Sequence, residues 1–223
     1  MRKWLLVLGV PLAGLIAIGL IGIGLLYVAS RKAPDFYKQA LVADPEEAEK
    51  ASDELLERAT ALASDLEKEG QWEATFSDVQ INGWLAVDLE RNHPEALPRS
   101  IREPRVAITA EALTVAAGFD RGEIKSVLSL TFDVYVPEPN VIALRVRKAR
   151  AGLLPLPLDS VLQRVSEAAS QLGLAVEWRQ EEGDPVALVS FPAPRNEENK
   201  VVQIKELRLG DGVVHLAGTT VRR

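Results

Sequence analysis

His93 and His215 are the only imidazoles in a chain of 223 residues that contains no cysteine. A zinc site needs three or four nitrogen, sulfur or carboxylate ligands at short, fixed spacings. His93 lies beside Pro94 in an irregular segment and His215 in an alternating one. Neither has a second histidine or a carboxylate at ligand spacing. The lack of cysteine excludes disulfides, thiol nucleophiles, thiolate metal sites and a lipidated N-terminal cysteine. Ser100, Ser126, Ser129, Ser160 and Ser190 lie outside any G-x-S-x-G elbow, and no glycine-rich phosphate loop is present. The carboxylates fall mostly on the polar faces of helices. The sequence therefore offers no catalytic residue, no metal site and no cofactor site, and it reads as a non-enzyme.

Two features are suited to binding. Arg145, Arg147, Lys148 and Arg150 form a basic cluster, which Arg99, Arg102 and Arg105 could approach. Arginine holds phosphate or carboxylate through two parallel hydrogen bonds; the competing reading is a solvated strand face balanced by nearby acids. The second feature is apolar. Leu153, Leu154, Leu156 and Leu158 alternate with prolines in the segment 152–158, and Leu128, Leu130 and Phe132 share one strand face. With Leu162 on the helix that follows, these residues could line a groove for an acyl chain, with Arg145 or Arg147 at its mouth. The competing reading is ordinary core.

The elements that must position these residues begin with an anchor. The run from Trp4 to Ala29 is uncharged and is flanked by Arg2-Lys3 and Arg31-Lys32. As a helix it is roughly 39 Å long, against roughly 30 Å for a bilayer hydrocarbon core. It is longer than the apolar region of about 7–15 residues in a cleaved signal. Residues 1–32 are expected to form a single-pass anchor in the cytoplasmic (inner) membrane, N-terminus inside. Gly9, Ala13 and Ala17 give a small-residue row of the kind that pairs membrane helices.

Residues 33–223 carry 22 basic against 32 acidic residues. An acidic module of this kind is a poor partner for nucleic acid, whose affinity rests on phosphate neutralisation. A membrane-proximal stalk helix is expected at 44–69 within residues 33–70, with Asp44 as its cap and Gly70 as its stop. Ala48, Ala51, Leu55, Ala59, Leu62 and Leu66 make one apolar stripe, packed on the domain or, alternatively, paired in a coiled coil. Residues 71–223 form the extracytoplasmic domain. Ser77 and Gln80 predict a capping box opening a helix to about Arg91. About nine short strands with period-two alternation fit: Trp72, Ala74 and Phe76 before this helix and the rest from Arg105 on, among them Ile124 to Val136, Val141 to Ala149, 174–180, 185–191, 201–209 and 213–219, interrupted by a helix at 159–172. Their connections are too short for parallel crossovers. The fold class is α+β: an N-terminal transmembrane helix, then a curled antiparallel sheet packed on helices.

Several of these features together resemble the YpmS-type family of bacterial membrane-anchored proteins. They are the single anchor, the stalk helix, the run Phe76-Ser77-Asp78-Val79-Gln80-Ile81-Asn82-Gly83-Trp84-Leu85, and Gly152-Leu153-Leu154-Pro155-Leu156-Pro157 leading into Val161-Leu162. The resemblance implies a tubular lipid-binding-like fold and a non-catalytic, lipid-handling role outside the cytoplasmic membrane. The leading expectation is a module that binds or transfers a lipid or other apolar envelope component. The alternative is a structural or adaptor protein that docks another envelope protein.

Overall fold

The computed structural model describes residues 32–94, 96–122, 124–157, 162, 163, 166, 175–191 and 200–222. Among them no helix is long and apolar enough to cross a membrane, and the run Trp4–Ala29 lies outside them. The expected helix at 159–172 also lies outside them, apart from helical Leu162, Gln163 and Ser166.

Four helices are described: α1 (Asp35–Leu41), α2 (Pro45–Leu66), α3 (Asp78–Ala86) and α4 (Asp88–Asn92). The ten strands are β1 (Gly70–Ser77), β2 (Ile101–Ile108), β3 (Leu113–Arg121), β4 (Ile124–Glu138), β5 (Val141–Ala151), β6 (Leu154–Pro155), β7 (Ala175–Glu181), β8 (Asp184–Ser190), β9 (Lys200–Gly210) and β10 (Val213–Arg222). All paired strands are antiparallel, so the chain is α+β as its periodicities require.

The strands divide between two sheets, which corrects the expectation of one continuous curled sheet. A small sheet runs β1-β10-β9. A large one runs β2-β3-β4-β5-β8-β7, with β6 added beside β5. The division follows from β1 pairing with β10, where Gly70 faces Thr220 and Ser77 faces Val213. That partner is the last strand of the chain, and no local turn signals it.

Asp44 caps α2 by accepting from the amides of Glu46 (2.8 Å) and Glu47 (3.4 Å). The helix ends at Leu66, so Gly70, at φ +134°, opens β1 rather than closing the helix. Ala51 and Ser52 are buried and Leu55, Leu62 and Leu66 half-buried, while Ala59 is exposed. The stripe thus packs on the domain. At its N-terminal half α2 crosses α3 at Gly83, where a Cβ would lie 2.7 Å from both Ala48 O and Ala51 Cβ. At its far end Thr220 Oγ1 donates to Leu66 O at 3.0 Å.

Ser77 and Gln80 form the expected reciprocal capping box at the start of α3. The same helix closes the outer edge of β2. The Asn82 amide donates to Val106 O and accepts from Val106 N, both at 2.8 Å. Asp78, one turn earlier, accepts from Ile108 N at 3.4 Å. These side chains occupy the positions of a missing neighbour strand, whose absence would leave an open edge. Pro104 sits within β2, where the register shifts between Arg102 and Arg105 and Glu103 takes φ +49°. An edge strand with a bulge is where a proline without an amide donor can be placed.

Two hinges join the sheets. Gly212, in the β9–β10 turn, accepts from Asp78 N and donates to Ile108 O, both at 2.9 Å. Asn140, in the β4–β5 turn, donates its backbone N–H to Ile204 O (3.0 Å) and its Nδ2 to Val202 O (2.9 Å). Its Oδ1 accepts from Ile204 N at 2.6 Å. A turn residue thereby acts as a short strand for β9.

Candidate functional site

The register of the large sheet brings most of the leucines together. Leu128 faces Ala117 on β3 and Ala151 on β5, and Ala151 faces Leu154 on β6. One step along, Leu130 faces Val115 and Ala149, and Leu156 N donates to Ala149 O at 2.9 Å. Residues directly opposite across antiparallel strands project to the same face. Two rows result, leucine–alanine–leucine in each. The small Ala149 and Ala151 form a floor between Leu128 and Leu130 on one side and Leu154 and Leu156 on the other. Proline fixes this geometry, because Pro155 and Pro157 hold the segment extended and keep it out of any helix. Ala149 is buried, whereas all four leucines are only half-buried.

Phe132 continues the β4 row, facing Leu113 and Val146, and is buried. Leu153 lies at the β5–β6 turn and is 48% exposed, so it stands outside the trough. Leu162 is half-buried one turn before Ser166, whose Oγ accepts from Trp178 Nε1 on β7 at 2.6 Å. Trp178 pairs with Ala187, which pairs with Leu144, so this helical turn lies over the same face of the sheet. Leu158 lies outside the described residues.

The arginine pair is elsewhere. Asp133 faces Arg145 while Phe132 faces Val146, and Arg147 occupies the bulge where the β4–β5 register shifts. Adjacent strand residues point to opposite faces, so Arg145 stands on the far side of the sheet from the leucines. Arg147 joins it there, bonded to Asp133 at 2.6 Å and to Asp184 at 3.1 Å. Arg145 reaches Asp184 at 2.9 Å and Glu182 at 3.0 Å. The bond to Glu182 and the proximity of Asp184 raise the Arg145 guanidinium's already high pKa. The expectation of arginines at the mouth of a leucine groove is thus corrected: their charge is already balanced by three carboxylates on the opposite face. Arg105 does not join the cluster either. It lies on β2, separated from β5 by β3 and β4, or roughly 14 Å at the usual strand spacing.

The histidines are apart. His93 lies 3.7 Å from Asp88 and beside the Trp84 ring, and His215 Nδ1 is 2.8 Å from Thr75 Oγ1. Among the described residues no group of three histidine, aspartate or glutamate side chains is placed to hold a metal ion.

Four residues have large roles that their spacing did not predict. Asp78 and Asn82 close the β2 edge, Asn140 clips the sheets together, and Arg105 is buried in a cleft between α1, α2, α3 and β2. The Asp78–Asn82 interval of one helical turn puts both on one helix face but does not signal the distant strand they close, and the burial of Arg105 had no signal.

No family model, curated protein or solved structure matches the chain. The likeness to the YpmS-type family therefore rests on the motifs quoted above alone.

Proposed function

We propose that this chain is a membrane-anchored, extracytoplasmic and non-catalytic module that binds or passes a lipid or other apolar envelope component. The observation that carries the reading is the trough of Leu128, Leu130, Leu154 and Leu156 over an alanine floor, with its leucines only half-buried. A packed core fills the space above alanines with large side chains; an acyl chain is unbranched, slender and suited to a straight apolar channel. The uncharged run Trp4–Ala29 supports placing this trough beside a bilayer. The YpmS-type resemblance points the same way.

The test uses the full chain in lipid nanodiscs and a fluorescent fatty acid. Wild-type protein should take up the probe saturably. Leu156→Trp should fill the trough, weaken uptake at least tenfold and leave Tm within a few degrees of wild type. A wild type that takes up no probe, together with a Leu156→Trp variant that unfolds, would mean that the leucines are core. The adaptor reading, in which the exported surface docks another envelope protein, would then replace this one.

A further inference from the structure

Arg105 is 93% withdrawn from solvent, with 7% of its surface exposed. Its Nε donates to Ala40 O at 3.3 Å and its Nη1 to Pro104 O at 2.8 Å. These two bonds use two of the five N–H donors of a guanidinium. Among the described residues no carboxylate lies within salt-bridge distance of it. Arg145, the one half-buried arginine among the described residues, is by contrast matched to Glu182 and Asp184. An arginine cannot shed its proton to escape the cost. Burying a charge without an opposite charge is unfavourable, and the two backbone carbonyls offset only part of that cost.

The side chain lines a cleft of about 410 Å³ between α1, α2, α3 and β2. The rest of the wall is mainly apolar, including Phe36, Leu41, Ala48, Val79 and Ala86. Two acids also line it, Glu47 and Asp78. Asp78 is engaged at the β2 edge through Ile108 N, and neither acid pairs with Arg105. The cleft thus offers one buried cation with N–H donors beyond the two in use, an apolar body, and two acids that do not pair with that cation.

We propose that this cleft is a binding site for a small organic oxyanion. A carboxylate or phosphate monoester head bonds to Arg105, and an apolar tail lies against Phe36, Leu41 and Val79. The site is distinct from the leucine trough and does not depend on its occupancy. Since α1 begins within six residues of the end of the Trp4–Ala29 run, the cleft belongs to the part of the chain nearest the proposed anchor.

The test measures Tm of the full chain in phosphatidylcholine nanodiscs during titration with decanoate, decyl phosphate, decanol or inorganic phosphate. Saturable stabilisation by decanoate, decyl phosphate or both is expected, and whichever acts identifies the head group. Decanol and inorganic phosphate should act at least tenfold more weakly, each lacking one half of the recognition. Arg105→Met should abolish the anion response while Tm without ligand stays level or rises, because an unpaired charge has been removed. Should Arg105→Met fail to fold, Val79→Trp provides the second arm. Val79 is 66% exposed, so the larger ring can close the cleft without disturbing the core, and it should weaken the response tenfold. Leu156→Trp, which closes the trough instead, should leave the response unchanged. The proposal is overturned if neither anion stabilises the wild type, if decanol acts as strongly as the anions, or if the response survives in Arg105→Met or Val79→Trp. It is also overturned if Leu156→Trp removes the response, which would assign the anions to the trough.

Discussion

Asn140 holds four hydrogen bonds at a backbone angle, φ +65°, that few residues tolerate. Its main chain bonds Ile204 O and Phe191 N, and its side chain bonds Val202 O and Ile204 N. Asparagine reaches this conformation more easily than most side chains, and its amide supplies both a donor and an acceptor. Asn140→Ala should cost about 2–4 kcal/mol in urea unfolding, through unsatisfied groups and left-handed strain. Asn140→Gly relieves the strain but not the lost bonds, so it should fall between the two. Equal stability of Asn140→Gly and wild type would show that conformation alone matters. Tyr135 gives a residue-scale prediction in pH. Burial first, and then its 2.6 Å bond to Glu181, push its hydroxyl pKa from 10.0 up to about 12. The fold therefore favours the protonated form. This contribution is complete below pH 10 and is lost as pH rises from 10 towards 12. Wild-type stability should fall over that window more steeply than that of Tyr135→Phe; parallel curves would contradict the assignment.

At the scale of elements, the ten residues Phe76–Leu85 perform three structural tasks on a single short helix. Ser77 and Gln80 cap it, Asp78 and Asn82 close the edge of β2, and Gly83 lets α2 approach. The cap was legible because its chemistry is local, two side chains and two amides three residues apart. The edge closure was not, because it depends on a strand more than twenty residues away. Gly83 shows how tightly the crossing is built, since an added Cβ would meet the Ala48 carbonyl and the Ala51 Cβ at 2.7 Å. Both are parts of another helix that cannot swing aside as a flexible side chain would. Gly83→Ala should therefore destabilise by about 1–3 kcal/mol or more by thermal unfolding, although alanine favours helix. An unchanged or higher Tm would mean that α2 is free to move off α3 and would revive the coiled-coil arrangement. Strand periodicity was equally legible: β3, β4, β5 and β7 to β10 fall close to their alternating segments. The short β6 was foreshadowed only by prolines that forbid a helix.

For the whole molecule, the class and the antiparallel pairing were readable from short connections, but the division into two sheets was not. It rests on β1 meeting β10 across nearly the full length of the domain, and on Asn140 and Gly212 stitching the sheets at two turns. The leucines of the candidate site could be assigned to one face because period two is a local property. The arginines could not be related to them, since a single bulge at Arg147 and the acids of the β7–β8 turn settle their place. The whole account turns on whether the Leu128, Leu130, Leu154 and Leu156 trough holds an acyl chain in the protein as made by cells. The most direct measurement is mass spectrometry of lipids released from full-length protein after purification and nanodisc exchange, wild type beside Leu156→Trp. A lipid or fatty acid carried by the wild type in near-stoichiometric amount, and depleted at least tenfold in the variant, is the predicted result. Equal lipid content in the two proteins, or none above an unrelated single-pass protein treated identically, would contradict it.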